Sequence, residues 1–232
     1  MHIAHCTLLI LFDSHLHFPT LTPLQWQQWR NAGLTGGIGC TAHRSEWRLP
    51  GERATLFPGL QFAWGIHPWY AREVTELSMD ELEAKLRLCD DLQIGEIGLD
   101  YARVHYGAPD RLTQQYAFEE QLKLAEKYTR TAILHIRKAW DDFIAIMSRH
   151  HDAKIIIHSF SGSAEIASEL LKRFPNCRLS FGSTLCNDNA ERLRAMVMTL
   201  PPERVLTDSD WPYKDGITPL DCARIEALLP KV

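Results

Sequence analysis

The sequence predicts an α/β fold in which eight strands, with helices between them, close into a TIM-like (β/α)8 barrel. Length is the first indication, because 232 residues match the roughly 200–250 residues of one such barrel. Composition is the second: 45% hydrophobic and 23% charged residues are typical of a globular protein, here a single domain over residues 1–232. The third is a regular alternation of short apolar runs with amphipathic stretches, which is typical of parallel strands joined by crossover helices.

Eight short runs are apolar or β-branched and are bounded by polar residues, glycine or proline, as strands are. The predicted strands are Leu8–Phe12, Gly36–Cys40, Leu60–Gly65, Gln93–Ile97, Thr131–His135, Lys154–His158, Arg178–Phe181 and Arg204–Asp208. Eight such runs favour a closed barrel over an open doubly wound sheet.

Helical patterns occupy most of the intervals between these runs. Ser78–Glu81 has the pattern of a capping box, which predicts a helix from there to about Cys89. Arg44–Phe57 is a weak helix candidate, and Gly107–Asp110 is predicted as a loop. Three apolar stripes predict helices packed on the sheet. Their members are Phe118, Leu122, Ala125 and Tyr128, then Ile166, Leu170, Leu171 and Phe174, and finally Leu193, Met196, Val197 and Leu200.

Charge and cysteine content narrow the classes of protein. A net charge of -4 argues against a protein held to nucleic acid by bulk positive charge, but not against a nuclease that binds locally. The six cysteines show no CxxC pair, which predicts buried thiols of a reducing compartment. The apolar run Leu8–Phe12 is too short to span a bilayer and lacks the flanks of a signal peptide. We therefore expect a cytoplasmic protein without a membrane partner.

Histidines or carboxylates occur at the ends of six predicted strands. The carboxyl ends of barrel strands form one rim, which carries the active site in such folds. A lone histidine there is usually a hydrogen-bonded core residue, but a whole set is costly to bury unless it is paired or metal-bound. Imidazole with carboxylate suits zinc or another divalent transition metal. The residues are Asp13, His15, His17, His67, Glu96, His135, His158, Asp208 and Asp210.

His15 and His17 are expected to share one ion. They lie two residues apart in a predicted extended segment, so their imidazoles point to the same side. Asp13 would hold an imidazole by a hydrogen bond or bind the ion weakly itself.

Glu96 is the natural bridge to a second ion, because one carboxylate can span two cations about 4 Å apart. His135 and His158 would complete the second site. Asp210 would bind the first ion and accept a proton from the attacking water, whose pKa the metal lowers. No serine or cysteine nucleophile is needed.

The motifs around these residues resemble, in order and spacing, those of the TatD family of metal-dependent deoxyribonucleases. The resemblance runs from about Phe12 to Tyr213. It implies a TIM-like barrel of the amidohydrolase-like superfamily, two divalent ions (Mg, Mn or Zn), and hydrolysis of DNA, often as a 3′-5′ exonuclease acting on single strands or 3′ ends. The motifs are Asp13–His17, Gly65–Pro68, Gly95–Tyr101, His135–Arg137, His158–Gly162 and Asp208–Tyr213.

The resemblance also assigns roles. His15 and His17 match the first ligands, Glu96 the bridging carboxylate, and His135 and His158 the ligands of the second metal. A gap-free match places Asp210 on the last ligand, with Asp208 as the alternative. His67 matches a histidine near the substrate phosphate, and Trp69 stands where the family often has a second histidine.

Further side chains are candidates for substrate contacts. Arg137 and Arg103 could bind phosphate oxygens, or form surface ion pairs instead. Trp69, Tyr70 and Tyr101 could stack on bases of a single strand, or pack in the core instead.

The segment after Tyr213 is short, and Thr218–Leu229 can supply only a brief last helix. We therefore expect a barrel with a shortened C-terminal end, whose exposed face an oligomer or a protein partner could cover.

Two other functions remain open. A small-molecule amidohydrolase or lactonase could use the same barrel, and Asp210–Pro212 resembles the last block of such enzymes. Against this, Glu96 occupies the bridging place and no lysine sits at a strand end. The third function is a non-catalytic subunit of a larger complex, against which the intact ligand set argues.

Overall fold

The computed structural model describes residues 11–48, 54–102, 107 and 109–231, and within them eight parallel strands form a nearly closed barrel. The strands stand in sequence order, and each pairs in parallel with the next. They are β1 (Leu11–His17), β2 (Leu34–Cys40), β3 (Leu60–Trp64), β4 (Gln93–Asp100), β5 (Thr131–Arg137), β6 (Lys154–Ile157), β7 (Cys177–Phe181) and β8 (Val205–Thr207). The predicted (β/α)8 fold is confirmed.

Each predicted strand overlaps an observed one, but the first differs in position. We predicted Leu8–Phe12, whereas β1 covers Leu11–His17, and residues 8–10 lie outside the described part. The polar residues that should follow this strand therefore belong to it, which gives His15 and His17 the extended backbone that their shared orientation requires.

Helices join most of the strands. They are α1 (Pro23–Asn31), α2 (Glu76–Leu88), α3 (Arg111–Lys127), α4 (Trp140–Met147), α5 (Ala164–Arg173), α6 (Glu191–Val197) and α7 (Cys222–Glu226). The weak helix candidate Arg44–Phe57 contains two 3-10 segments, Arg44–Arg48 and Ala54–Leu56, on either side of residues outside the described part. Phe118 and Leu122 of α3 and Leu170 of α5 are buried, as the apolar stripes predicted.

The predicted start of α2 was wrong. The cap is Thr75, whose side chain accepts from the Ser78 backbone N–H, while Ser78 Oγ accepts from the Thr75 backbone N–H. Ser78 thus takes the part usually played by glutamate or glutamine at the third helical position. The helix begins at Glu76.

The prediction of buried thiols holds in part. Cys40, Cys177 and Cys222 are buried free cysteines, whereas Cys89 is exposed; Cys6 lies outside the described residues. None of the described helices has the length and apolar content that crossing a bilayer demands.

Side chains join β1 to β8 and complete the barrel. Ser14 Oγ donates to the Thr207 carbonyl at 2.7 Å, and Thr207 Oγ1 donates to the Phe12 carbonyl at 3.1 Å. We call this contact the β1–β8 seam. The expected short last helix is α7, whose Cys222 and Ile225 are fully buried.

Candidate metal centre

The structure brings the predicted ligands together at the carboxyl ends of the strands. Four imidazoles and two carboxylates converge from β1, β4, β5, β6 and β8, and the imidazole of His67, after β3, joins them. The seven side chains are His15, His17, His67, Glu96, His135, His158 and Asp210.

One group forms around Glu96 Oε2. This oxygen lies 3.2 Å from His17 Nε2 and 3.7 Å from His15 Nε2. The two Nε2 atoms are 3.2 Å apart, so both imidazoles point to one place. Asp210 Oδ1 lies 3.6 Å from His15 Nε2 and 3.7 Å from His17 Nε2, which closes this group from the β8 side.

A second group forms around Glu96 Oε1. His158 Nε2 lies 2.7 Å and His135 Nδ1 lies 3.0 Å from this oxygen. The two ring nitrogens are 3.3 Å from each other. The Glu96 carboxylate therefore presents one oxygen to each group.

This donor set fits a divalent cation. Nitrogen ligands of one tetrahedral zinc ion lie about 3.4 Å apart, close to the separations within each group. Ring nitrogens facing each other and a carboxylate at these distances repel unless a proton or a cation lies between them. The chemistry and the spacing of these residues are thus those of ligands.

Electrostatics keep the carboxylates charged. Burial alone would raise the pKa of Glu96, but the imidazoles of His158, His67 and His15 together hold it well below its usual range. Burial would also raise the pKa of Asp210, and the hydrogen bond with His15 lowers it below its usual range. Burial, together with the neighbouring His158, lowers the pKa of His15 to about 4. Burial would lower the pKa of His135 and of His158, but the neighbouring carboxylates raise both, that of His135 to about 9, so a bound cation would have to displace protons from these imidazoles.

His67 presents an N–H to the site. Its Nδ1 accepts from the Trp69 backbone N–H at 3.2 Å, and burial lowers its pKa well below the usual value. The neutral ring therefore carries its proton on Nε2, which lies 3.6 Å from Glu96 Oε1. This geometry suits a hydrogen-bond donor to an anionic substrate better than a metal ligand.

Asp100 is a functional candidate that the sequence reasoning missed. Its Oδ2 lies 3.1 Å from His135 Nε2 and accepts from the Trp69 indole N–H at 3.0 Å. Burial would raise the pKa of Asp100, but the hydrogen bond with His135 lowers it to about 2, so the group is ionised. His135 therefore donates from Nε2 to Asp100, and its Nδ1 is the nitrogen that would lose its proton to bind a cation beside Glu96. The sequence did contain a signal for this role. Asp100 is a carboxylate within the motif Gly95–Tyr101, and it lies on the strand that carries Glu96.

The structure separates the two aspartates of the last block. Asp208 is fully buried, and its oxygens accept from the Ser159 N–H at 2.8 Å, Ser159 Oγ at 2.7 Å and Ser180 Oγ at 2.6 Å. Asp210 faces the histidines instead. The geometry therefore favours Asp210 over Asp208 as a ligand.

Asp13 does not hold an imidazole. Its carboxylate accepts from the Ser209 N–H and Oγ and from the His15 backbone N–H, at 3.0, 2.5 and 3.2 Å. Asp13 thus fixes the backbone on both sides of the β1–β8 seam rather than a ring nitrogen.

The predicted substrate contacts differ in their surroundings. Arg137 is exposed at the end of β5, and no ion pair of its side chain occurs among the described residues. Tyr101 is half-buried, its hydroxyl donates to Asp142, and the Arg111 guanidinium covers its ring at 4.6 Å, so packing explains it better than base stacking. Tyr70 is 39% exposed. Arg103 lies outside the described residues.

Tyr213 is an aromatic residue at this rim that the sequence reasoning did not consider for substrate binding. Its ring stands edge-on to His17 at 4.5 Å between centroids, yet it is 66% exposed. A large apolar ring left open to solvent beside a polar site is the usual form of a stacking surface.

Known proteins are similar to this chain. The model of a family described as TatD related DNase matches residues 12–227. The human "3'-5' RNA nuclease TATDN2" is 34% identical over 154 residues, covering 65% of this chain and 20% of that protein. The "3'-5' ssDNA/RNA exonuclease TatD" of Edwardsiella piscicida is 34% identical over 194 residues, covering 79% of this chain and 70% of that protein. The chain thus spans about a fifth of the length of the first relative and about two thirds of the second.

A solved structure has the same architecture. It is YJJV, a TatD homolog from Escherichia coli k12, which superposes with a TM-score of 0.79 at 26% sequence identity. The superposition covers 94% of this chain and 88% of that one.

Proposed function

We propose, from the premise that this chain belongs to the family of TatD related DNases, that it is a metal-dependent nuclease. Its substrate is DNA, cleaved at phosphodiester bonds from the 3′ end of single strands. The names of its relatives support this direction and this substrate class, and they include both DNA and RNA.

The main support for the proposal is that the two oxygens of the Glu96 carboxylate face different pairs of imidazoles. Oε2 lies against His15 and His17, and Oε1 lies against His135 and His158. A carboxylate placed between two groups of imidazoles is suited to bridge two divalent ions of Mg, Mn or Zn.

The surrounding residues divide the remaining tasks. His15, His17 and Asp210 would hold one ion, and His135 and His158 would hold the other, with Glu96 shared. Divalent ions bound there would supply Lewis acidity and a water of lowered pKa.

Substrate orientation falls to residues at the rim. The His67 Nε2–H is placed to donate to a phosphate oxygen, and the exposed Arg137 can pair with the backbone of the strand. Trp69 borders the site, with its ring edge-on to His67 at 4.6 Å between centroids. The Asp210 carboxylate, at the same rim, would accept a proton from the attacking water.

The test is cleavage of end-labelled single- and double-stranded DNA and of RNA after treatment with a chelator and addition of Mg, Mn or Zn. We expect stepwise loss from the 3′ end that needs the metal. Glu96→Gln should abolish cleavage and lower the metal bound per protein, whereas Glu203→Gln, the same change at an exposed site, should do neither.

Cleavage that persists in chelator or in Glu96→Gln would contradict the proposal. So would an absence of cleavage with every ion. A parallel assay with cyclic amides and lactones separates the small-molecule hydrolase, and metal bound without any turnover would point to a non-catalytic subunit.

A further inference from the structure

Lys214 brings a positive charge to the edge of the candidate metal centre. Its Nζ lies 3.8 Å from Asp210 Oδ2 and donates to Ser159 Oγ at 3.1 Å. Because Asp210 Oδ1 faces His15 and His17, Lys214 stands on the other side of the same carboxylate. Among the lysines and arginines of the described residues, Lys214 is the one with an ion pair to the ligand set.

The neighbouring loops define where the ammonium lies. Gly182 follows β7, and a Cβ at this position would come within 3.0 Å of Lys214 Nζ and 2.9 Å of Asp208 Oδ1. A side chain there would displace the lysine. Ser159, after β6, donates its hydroxyl proton to Asp208 Oδ1, which leaves its lone pairs for the ammonium.

These contacts do not use the full donor capacity of Lys214. An ammonium has three N–H groups, and among the described residues this one has a single hydrogen bond and one long ion pair. The side chain is 27% exposed, so a partner from solvent can reach it. An ion pair of this length and exposure contributes little to stability, and stability alone therefore does not account for the placement.

Lys214 itself lines a cavity of about 390 Å³, together with Asp215 and Arg224. A second cavity, of about 260 Å³, has Ser159 and Gly182, two neighbours of Lys214, in its wall. Hydroxyl groups and aromatic rings line it, and no charged residue is among them. Its wall includes Ser159, Ser161, Thr184, Phe160, Phe181 and Leu193. Apolar rings beside hydroxyl groups suit an uncharged ring system such as a sugar with its base. Lys214 Nζ and Asp208 Oδ1 both lie next to Gly182, which is part of the wall of this second cavity.

We propose that Lys214 binds an anionic phosphate oxygen of the substrate strand, which then runs from the metal centre toward this cavity. The inference rests on the proposed nuclease function and deepens it, since it names a residue that binds a substrate phosphate and gives the direction in which the strand leaves the metal centre. The oxygen belongs either to the cleaved phosphodiester or to its neighbour.

The first experiment measures binding. Fluorescent single-stranded oligothymidylate is titrated in chelator at several salt concentrations with the wild type, Lys214→Met and Lys172→Met. Lys172 is an exposed lysine of α5, so its variant makes the same charge change away from the site. We expect Lys214→Met to bind about tenfold more weakly at low salt, with a salt slope smaller by about 0.7, the value for one phosphate contact on a single strand.

The second experiment identifies the phosphate. Turnover of the oligonucleotide and of bis(4-nitrophenyl) phosphate, which has one phosphate, is measured with Mn²⁺. A loss on both substrates assigns Lys214 to the cleaved phosphodiester, and a loss on the oligonucleotide alone assigns it to the neighbouring one. Lys214→Arg should restore most of the binding, because the charge remains.

Three outcomes would overturn the inference. If the salt slope of Lys214→Met equals that of the wild type, Lys214 makes no contact with a phosphate. Weaker Mn²⁺ binding by Lys214→Met that accounts for its loss of turnover makes the lysine a support for Asp210 only. A wild type that neither binds nor cleaves the oligonucleotide refutes the nuclease proposal itself, whereas cleavage with an unchanged slope refutes only the role of Lys214.

Discussion

Asp100 determines which nitrogen of His135 faces the ligand set. A histidine can coordinate through a ring nitrogen only if that nitrogen has lost its proton, and the hydrogen bond at the other nitrogen fixes the choice. Asp100 accepts at His135 Nε2, while the Trp69 indole N–H and the Ala102 backbone N–H hold its carboxylate in place. Trp69, which stands where the family often has a second histidine, thus holds Asp100 in place, a role different from base stacking.

Replacing Asp100 with asparagine should weaken metal binding by about 10- to 100-fold, because the amide supports the His135 tautomer less well. Trp69→Phe, which removes one of the donors to Asp100, should have a smaller effect in the same direction. Isothermal titration with Mn²⁺ or Zn²⁺ measures both. Asp91→Asn, at an exposed position, is the control. Equal affinities for Asp100→Asn and the control would refute this role.

The sequence predicted the place of a site residue wherever that residue lies at the end of a recognisable strand, because the strand ends meet at one rim. His15, His17, Glu96, His135 and His158 could be placed on one rim because each ends or follows an apolar run. Asp100 stood in the motif Gly95–Tyr101 and could have been considered, but its contact with Trp69, like that of Lys214 with Ser159, crosses loops whose course the sequence pattern does not define.

At the scale of elements, Gly98 sets the spacing between β4 and β5. Its φ is +140°, and a Cβ there would lie 2.1 Å from the His135 carbonyl oxygen. Since β4 carries Glu96 and β5 carries His135, this close approach brings two members of the site together. Strand positions followed from the apolar runs, but the approach of two strands at one glycine depends on their pairing and could not be predicted.

We expect Gly98→Ala to lower the free energy of unfolding by more than about 2 kcal/mol, since it adds a backbone clash to a strained φ. Gly216→Ala is the matched control, because its φ is +72° and nothing lies within 4 Å of the added Cβ. Urea denaturation in chelator measures both. Similar losses in the two variants would show that the backbone angle, and not the approach of β5, makes glycine necessary.

At the scale of the whole molecule, the β1–β8 seam joins the two ends of the described chain. Asp13 lies in this seam and bonds the Ser209 backbone and hydroxyl. Burial raises the pKa of Asp13 to about 7, although the hydrogen bonds from Ser209 oppose this shift. Because the folded pKa lies above the usual value of 3.8, the stability that Asp13 contributes is present below pH 3.8 and is lost as the pH rises toward 7.

Asp13→Asn should therefore gain stability relative to the wild type as the pH rises from about 4 to 7, by up to about 1.4 kcal/mol for each pH unit. The amide has no proton to lose in this range and can still bond Ser209. Denaturation curves of both proteins, recorded in chelator across this range, give the difference. Stability curves that run parallel from pH 4 to 7 would show that Asp13 titrates normally in the folded protein.

The seam has a further consequence for the polymer as a whole. Ser14 and Thr207 are 193 residues apart in the sequence, so contacts between β1 and the block after β8 close almost the entire chain into a ring. Bringing the ends of so long a loop together costs the chain more configurational entropy on folding than a local contact does. A cation shared by His15, His17 and Asp210 would act as a reversible cross-link at this point. The folding equilibrium would then report ion occupancy, and the concentration of free metal would set how often the ring opens.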